Sequence, residues 1–323
     1  MSYNINIKLG RCNICNQMPV IHRKYSKIDL CPKCFIKNVE KRIESTILGY
    51  NLIKNNDKVI VGLSGGKDSS VLLYNLKKFR DKSKLQFSII ALSLDEGIEG
   101  YRPNSLKKAK QLCNELGIQH EIISFKEKIG KSLEEIISIM KTRPDYKYSC
   151  NYCATIRRRL LNDVAMELGG DVLALGHNLT DLSETFLMNI LHRRINLIRN
   201  QFLLKQDTNE TKKFFIKKIM PLMKIPEEEI FLYANLKKLI YYDSHCPFRE
   251  KDPILRKRVL EFIQEAKLVY PEIEFNIFDD FIFLSKLLYE ESNSIVYYKC
   301  SKCGYPSGVS RICMFCKIKE SIG

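Results

Sequence analysis

The chain has 323 residues, of which 45% are hydrophobic, and its 53 Lys and Arg against 37 Asp and Glu give a net charge of +16. This length allows one to three domains, each with a sizeable core. There is no leader-like segment at the start and no apolar run long enough to cross a membrane, so we expect a soluble, cytoplasmic protein. Twelve cysteines in such a chain favour metal binding or catalysis over disulfides.

The positive charge is clustered. Residues 1–49 carry nine basic and three acidic side chains, and residues 192–219 carry eight and two. Such clusters indicate a polyanionic partner such as nucleic acid. The alternative is a solvated, lysine-rich surface without a partner, and the clustering makes that interpretation the weaker one.

Four cysteines near each end of the chain form two sets of paired CxxC motifs. The first set has the spacing C-x2-C-x15-C-x2-C, and the second has C-x2-C-x9-C-x2-C. Each CxxC turn offers two sulfurs to one ion, so both sets predict a structural Zn²⁺ site with four thiolates. The predicted ligands are Cys12, Cys15, Cys31 and Cys34 in the first set and Cys300, Cys303, Cys313 and Cys316 in the second.

A phosphate-binding loop is predicted within residues 58–79, KVIVGLSGGKDSSVLLYNLKKF. A β-branched run is followed by Gly65 and Gly66, which permit a tight turn, and then by leucines at helical spacing. Backbone N–H groups of the turn and the helix N-terminus can then face phosphate oxygens. Lys67 adds a cation, and Asp68 could hold Mg²⁺ together with the phosphates. The loop is not a Walker A motif, because Val61 and Asp68 occupy its glycine and Ser/Thr positions.

Strand and helix patterns alternate through the middle of the chain, with strands expected near 58–63, 87–94, 119–124 and 171–176. Alternation of this kind predicts an α/β fold with a doubly wound parallel sheet, which binds ligands beyond the carboxyl ends of its strands. The expected segments are an N-terminal zinc knuckle and helix (1–48), the α/β domain (49–224), a helical region (225–290) and a C-terminal zinc knuckle (291–323).

Cys150 and Cys153 form a fifth CxxC pair, within SCNYCATIRRRLL, that has no second pair nearby. A zinc site there would need distant ligands, and a thioredoxin-like redox pair normally occurs in a different fold context. Local spacing therefore leaves the role of this pair open. Cys113 lies among leucines at helical spacing and is predicted to be in the core, whereas Cys246 has no informative local pattern.

The loop sequence SGGKDS, residues 64–69, resembles the pyrophosphate loop of N-type ATP pyrophosphatases, which cleave ATP between its α and β phosphates and adenylate a substrate. Taken with the two knuckles, an ordered set of motifs resembles the TtcA/TtuA family of tRNA 2-thiolation enzymes, of the archaeal and eukaryotic-cytosolic type. The resemblance covers nearly the whole chain. The motifs are LSLDEGIEGYR (92–102), CNYCATIRRR (150–159), LGHNLTDLSETFLMNIL (175–191), MPLMKIPEEEIFLYA (220–234) and HCPF (245–248).

This resemblance makes residues 49–224 an ATP pyrophosphatase catalytic domain. It implies catalytic roles for Lys67, Asp68, Arg157 and Asp181. Two departures from the family pattern bear on substrate specificity more than on the reaction: Thr180 replaces the first Asp of GHNxDD, and LHRR replaces LRGD. The implied ATP-binding residues are Gly62, Leu63, Ser64, Gly65, Gly66, Asp68, Ser69, Ser93, Arg157, Gly176 and Asp181.

The resemblance also implies that Cys150, Cys153 and Cys246 bind a 4Fe–4S cluster. Clusters normally take four thiolates, so three would leave one iron open to hold a sulfide. The neighbouring triplet Arg157–Arg159 would favour thiolate and anionic cluster states. The rival hypothesis is direct cysteine chemistry, with a persulfide on Cys150 or Cys153.

The implied activity is ATP-dependent synthesis of 2-thiouridine in tRNA, with Mg²⁺ as a cofactor. Its partners would be tRNA and a sulfur donor, which is either a ubiquitin-like thiocarboxylate protein or sulfide, and a homodimer is left open. Two alternatives are a non-catalytic tRNA-binding paralogue and another adenylating enzyme, such as a tRNA lysidine synthetase or an amidotransferase. The sequence does not choose between the wobble uridine and the T-loop uridine.

Overall fold

The computed structural model describes residues 10–146, 148–200, 213–248, 254–291, 298–307 and 310–323. Its centre is a parallel sheet of five strands, and a two-stranded antiparallel hairpin lies near each end of the described chain. The strands are β1 Ile21–Arg23, β2 Ile28–Leu30, β3 Lys58–Gly62, β4 Ser88–Asp95, β5 Gln119–Ser124, β6 Val172–Ala174, β7 Lys217–Ile219, β8 Tyr298–Lys299 and β9 Pro306–Ser307.

Helices connect and cover the strands. They are α1 Pro32–Gly49, α2 Lys67–Lys82, α3 Arg102–Leu116, α4 Phe125–Ile129, α5 Leu133–Lys141, α6 Ser149–Glu167, α7 Leu179–Leu191, α8 Ile195–Asn200, α9 Glu227–Leu236, α10 Ile254–Val269, α11 Ile273–Glu290 and α12 Met314–Ser321. None of the helices in the described part of the chain is long and apolar enough to span a membrane.

The central sheet has the order β5-β4-β3-β6-β7, and every neighbouring pair is parallel. The chain therefore moves outward from β3 in one direction and then returns to β6 on the other side. Such a reversal leaves a crevice beyond the carboxyl ends of β3 and β6, where doubly wound sheets bind ligands. The predicted fold class is confirmed, and the four predicted strands correspond to β3, β4, β5 and β6. The short strand β7 was not foreseen.

Both faces of the sheet are buried, because neighbouring residues of a strand point to opposite sides. Val59 and Val61 of β3 pack with α2 and with α1 on one face, whereas Ile60 packs with Val164 and Ala165 of α6 on the other. Cys113 lies in the first of these cores with 1% of its surface exposed, as predicted. A parallel sheet covered on both sides explains the continuous apolar runs in the sequence.

The N-terminal module is joined to the sheet domain by buried charges. Arg23 of β1 donates to Glu229 of α9 over 2.7 Å, and Arg42 of α1 donates to the same carboxylate over 2.9 Å. Since α1 also shares a core with β3, the module is packed against the α/β domain. The division of the chain into four segments stays a prediction, and of the basic segment 192–219, residues 201–212 lie outside the described residues.

Candidate functional site

The predicted phosphate loop lies between β3 and α2, at the carboxyl edge of the sheet. Gly65 has a φ of +84°, and a Cβ there would come within 2.2 Å of the Ser105 carbonyl oxygen, so glycine is required. Ser64 and Ser69 close the loop: the Ser64 N–H donates to the Ser69 hydroxyl over 3.1 Å, and that hydroxyl donates to the Gly66 carbonyl over 3.1 Å. These hydrogen bonds fix the shape of the loop in front of the N-terminus of α2.

Gly176, after β6, faces this loop across the crevice. A Cβ at Gly176 would approach the Ser69 nitrogen to 3.0 Å and the Asp68 carbonyl carbon to 3.1 Å. Glycine at this position lets the two strand ends come together. The structure thus joins the SGGKDS and GHN motifs, which are more than a hundred residues apart in the sequence.

Ser93 of β4 lies below the loop. It is 1% exposed, and its hydroxyl donates to the Leu63 carbonyl over 2.6 Å and is bonded to Nε2 of His120 over 2.7 Å. Leu92 and Leu94 on either side of it line the crevice, because alternate residues of a strand face opposite ways. Ser93 is placed to hold the loop backbone, and its contact with ATP stays a prediction.

Two carboxylates meet on the N-cap of α7. The Asn178 side chain donates to Asp68 over 3.1 Å, and its backbone N–H donates to Asp181 over 3.3 Å. Burial raises the pKa of Asp68, while Lys67 lowers it and nearby Asp181 raises it. Burial also raises the pKa of Asp181. Two neighbouring carboxylates beside a phosphate loop are the oxygen ligands that Mg²⁺ favours.

Lys67 is held between acidic groups at the start of α2. Its ammonium lies 2.6 Å from Glu227 of α9 and 3.2 Å from Asp68. Burial lowers the pKa of Lys67, but the two carboxylates outweigh this and leave it raised, so the side chain remains a cation. Sequence analysis predicted that Lys67 faces phosphate, and it did not predict the ion pair with Glu227.

Thr180, which departs from the family pattern, points away from the nucleotide crevice. Its hydroxyl donates to Glu274 of α11 over 2.8 Å and accepts from the Glu227 N–H over 3.1 Å. The residue is 5% exposed. Thr180 therefore links α7 to α9 and α11 by hydrogen bonds. Asp181 is the carboxylate of this motif that faces the crevice.

Arg157 enters the crevice from α6 and is anchored by Glu96. Its Nε lies 3.2 Å from one oxygen of Glu96, and Nε of Arg102 lies 2.7 Å from the other. Arg102 is 3% exposed and also donates to the Ser64 carbonyl over 2.7 Å. Glu96 and Arg102 thus connect Arg157 to the phosphate loop. Neither was among the predicted site residues, although both lie in the quoted motif LSLDEGIEGYR.

These groups surround one cavity of about 380 Å³. His177 and Arg256 lie in its wall and were missed by sequence reasoning. Desolvation and the charges of Arg157 and Arg158 lower the pKa of His177 to about 4, so its imidazole is neutral. Arg256, from α10, pairs with Glu184 over 2.5 Å and lies 3.9 Å from Asp181. The predicted site residues in the wall are Gly62, Leu63, Ser64, Asp68, Ser69, Arg157, Gly176 and Asp181.

The three central cysteines lie on two segments that converge beside this cavity. Cys150 and Cys153 are in the first turn and a half of α6, and Cys246 packs with Cys153 against the same apolar cluster. Burial raises the pKa of Cys153 to about 12, although Arg157 acts against it. The Tyr242 N–H donates to the Gly65 carbonyl over 2.8 Å, so the segment leading to Cys246 is fixed to the phosphate loop. Cysteine sulfur is the ligand that iron in a cluster normally takes, and the iron–sulfur role of these three residues stays a prediction.

The arginine triplet does not act as a unit on these cysteines. Arg157 lies beside Cys153 and Glu96, whereas Arg159 pairs with Asp163 over 2.5 Å and lies 3.9 Å from the ring centre of Tyr305. Successive helical residues are separated by about 100° around the helix axis, which sends neighbouring side chains in different directions. The expectation that all three favour thiolates in the central group is therefore wrong for Arg159, which holds the C-terminal knuckle instead.

Each terminal set of four cysteines is gathered into a compact group. In both sets the four sulfurs all lie within 4.8 Å of one another. Sγ of Cys15 is 3.4 Å from Sγ of Cys31, and Sγ of Cys303 is 3.8 Å from Sγ of Cys313. Backbone hydrogen bonds lower the pKa of Cys300 to about 6, which favours its thiolate. Four thiolates at this spacing fit a closed tetrahedral Zn²⁺ site, and the identity of the metal stays a prediction.

The doubly wound sheet and its glycine loop define a nucleotide-binding α/β protein, and comparison with known proteins narrows this class. Residues 35–261 match the model of the PP-loop domain, an ATP-binding family. A Saccharomyces cerevisiae protein named cytoplasmic tRNA 2-thiolation protein 1 is 33% identical over 320 residues, which cover 96% of this chain and 86% of the yeast protein.

Two archaeal proteins whose names also describe tRNA thiolation are similar to this chain. A Pyrococcus horikoshii tRNA-5-methyluridine(54) 2-sulfurtransferase is 33% identical, over 95% of this chain and 93% of its own. The solved structure of the U34-tRNA thiolase NcsA from Methanococcus maripaludis, with its [4Fe-4S] cluster, is 33% identical and superposes with a TM-score of 0.81 over 98% of this chain and 97% of that one. The chain belongs to the TtcA/TtuA family of tRNA 2-thiolation proteins, as its motifs predicted.

Proposed function

We propose that this protein is an ATP-dependent tRNA 2-thiouridine synthetase. The observation that carries the proposal is the placement of α6, which begins with Cys150 and Cys153 and one turn later extends Arg157 into the cavity of the phosphate loop. The proposed sulfur site would then lie next to the cavity of the phosphate loop, which supports the proposal. The names of its relatives, which include tRNA 2-thiolation proteins and a 2-sulfurtransferase, support the same activity.

In the first step the C2 oxygen of a uridine attacks the α-phosphorus of ATP, and the bond from that phosphorus to the bridging oxygen breaks to release pyrophosphate. Lys67 and Arg157 would stabilise the charge that moves onto the leaving group. Asp68 and Asp181 would hold Mg²⁺ against the phosphates. In the second step a sulfur nucleophile forms a bond to C2 and AMP leaves.

The central cysteines would hold the 4Fe–4S cluster, which when bound supplies an iron with an open position for sulfide. The cluster in the M. maripaludis relative supports this over a persulfide on Cys150 or Cys153. Sulfide and a ubiquitin-like thiocarboxylate protein both remain candidate donors, and a homodimer remains part of the hypothesis.

The direct test is anaerobic incubation with tRNA, ATP, Mg²⁺ and sulfide, followed by mass spectrometry of the nucleosides. We expect 2-thiouridine and AMP in equal amounts. Formation of AMP without thiouridine would indicate a different adenylating enzyme. The absence of both products would support a non-catalytic paralogue. Nuclease fragments would locate the modified base, because the relatives named above act at positions 34 and 54.

Single Ser variants of Cys150, Cys153 and Cys246 separate the two sulfur mechanisms. If the three hold a cluster, each variant loses iron and thiolation together while ATP binding persists. A persulfide mechanism predicts instead that the Cys246 variant keeps activity. The yeast relative's name supports a cytoplasmic location, which cell fractionation would check.

A further inference from the structure

The outer face of α1 carries a row of lysines. Lys33, Lys37 and Lys41 follow one another at four-residue intervals, and all three are exposed. Four residues advance a helix by about 6 Å, so the ammonium groups form a line along one side of the helix. Among the described residues, no carboxylate lies within 4.0 Å of any of the three, in contrast to Lys78, which pairs with Glu40 of α1.

The row ends at a second cavity, of about 460 Å³, which is separate from the nucleotide site. Lys224 lies in its wall, with its ammonium 5.0 Å from the ring centre of Tyr50. Its walls are formed by Asn38, Lys41, Arg42, Ser45, Thr46, Tyr50, Lys224 and Phe275. The cavity combines cations and hydroxyl groups with two aromatic rings.

Of the three cations that line this cavity, one has a carboxylate partner and two have none among the described residues. Arg42 is paired with Glu229 and bonded to Tyr25, each over 2.9 Å. Lys41 and Lys224, by contrast, have no carboxylate partner among the described residues. Lysines left without counter-charges in a protein of net charge +16 are suited to a polyanion.

The cavity is connected to the catalytic side of the molecule. Lys224 precedes Ile225, whose carbonyl accepts from the N–H of Leu179 over 3.0 Å at the start of α7. That helix carries Asp181, two residues further on, in the wall of the nucleotide cavity. The segment that carries Lys224 is therefore hydrogen-bonded to the helix that carries Asp181.

We infer that the lysine row of α1 and the cavity with Lys224 form a docking surface for the tRNA backbone. This inference rests on the proposed function, and it assigns to particular residues the basic character of the N-terminal segment. The lysines would contact successive phosphates, and Tyr50 and Phe275 offer apolar surface for one ribose or base. Contacts to phosphate are sequence-independent, so the surface orients the substrate without selecting the uridine.

The test compares two triple variants that each remove three positive charges. In one, Lys33→Gln, Lys37→Gln and Lys41→Gln remove the row on α1. In the matched control, Lys107→Gln, Lys108→Gln and Lys110→Gln change α3, whose lysines also lack carboxylate partners among the described residues. The dissociation constant for unmodified tRNA is measured by fluorescence anisotropy over a series of KCl concentrations, without ATP.

We expect the α1 variant to bind tRNA more weakly and to lower the slope of log affinity against log salt by about 2 to 3, since each lost phosphate contact contributes roughly 0.7–0.9. The α3 variant should keep the wild-type slope, and both should bind ATP normally. If both triple variants lose tRNA affinity equally, the effect comes from net charge alone. If the α1 variant keeps the wild-type slope of log affinity against log salt, the lysine row has no role in binding. Either result overturns the inference.

A single variant, Lys224→Gln, tests the cavity without changing α1. It should lower the salt slope by about 1. Thiouridine formation by the wild-type protein is measured in parallel. If the wild type thiolates tRNA while all variants bind it equally, the surface is wrong and the proposed function stands. If the wild type neither binds nor thiolates tRNA, the proposed function fails as well.

Discussion

Arg157 and Glu96 form an ion pair of 3.2 Å in the wall of the nucleotide cavity, and the same carboxylate holds the buried Arg102 at 2.7 Å. One carboxylate thus positions two guanidinium groups, of which one faces the cavity and the other supports the Ser64 carbonyl of the loop. Glu96 is 4% exposed and stands between cations that would repel one another without it. We therefore regard it as a positioning residue for Arg157.

Glu96→Gln should lower kcat for AMP formation by about 10- to 100-fold, because a misplaced catalytic group of this kind costs about that much. The KM for ATP should change less, since the loop backbone remains. Steady-state kinetics and thermal melting would be measured together, with the exposed neighbour Glu99→Gln as the control. A Glu96→Gln protein with wild-type kcat would show that Arg157 needs no anchor.

Asp68→Asn should abolish AMP formation, with a loss of at least about 10²-fold, because the neutral amide cannot hold Mg²⁺ against the phosphates. Burial raises the pKa of Asp68 in the folded protein, so the stability linked to its protonated form is present at low pH and is lost as pH rises through that pKa. The variant should consequently melt at or above the wild-type temperature at neutral pH.

Asp81→Asn, on the exposed side of the same helix, is the matched control for Asp68→Asn, because its carboxylate pairs with Lys77 and faces solvent. It should retain full activity. A clear fall in the melting temperature of Asp68→Asn at neutral pH would contradict the sign of the pKa shift. If the Asp68→Asn protein released pyrophosphate at the wild-type rate, Asp68 would have no role in the reaction.

Arg256→Gln should reduce kcat by about tenfold or more, because its guanidinium lies 3.9 Å from Asp181 in the wall of the cavity and is paired with Glu184. Arg256→Lys should recover part of the loss if charge is what matters. Arg258→Gln is the control, since Arg258 lies two residues further along α10 and its side chain is 74% exposed. Equal activity of both Gln variants would exclude a role for Arg256 in the reaction.

Cys12→Ser should remove one zinc ion and lower the melting temperature by at least about 5 °C. The hairpin that it anchors carries Arg23, and losing Arg23 from this buried pair would leave Glu229 with Arg42 as its remaining cation. Zinc content by mass spectrometry and thermal melting are the measurements. Cys113→Ala, in the core and outside both cysteine groups, should keep two zinc ions per chain. If the Cys12→Ser protein still held two zinc ions per chain, Cys12 would not be a zinc ligand.

The sequence by itself determined the features that depend on short stretches of chain. The loop from Gly62 to Ser69, the four strands that were predicted and the CxxC pairs are set by backbone geometry over a few residues, and local patterns report this reliably. The order of the motifs was also enough to identify the family, because each one occupies a fixed place in the alternation of strands and helices.

Only the tertiary structure decided which distant side chains share the cavity. Glu227 reaches Lys67 from α9, and Arg256 comes from a helix whose sequence has no motif, so nothing local could predict their contacts. The helical twist separated Arg157 from Arg159, and strand alternation turned Ser93 beneath the loop. Side-chain direction depends on how elements pack against one another, and packing joins residues that the chain keeps more than a hundred positions apart.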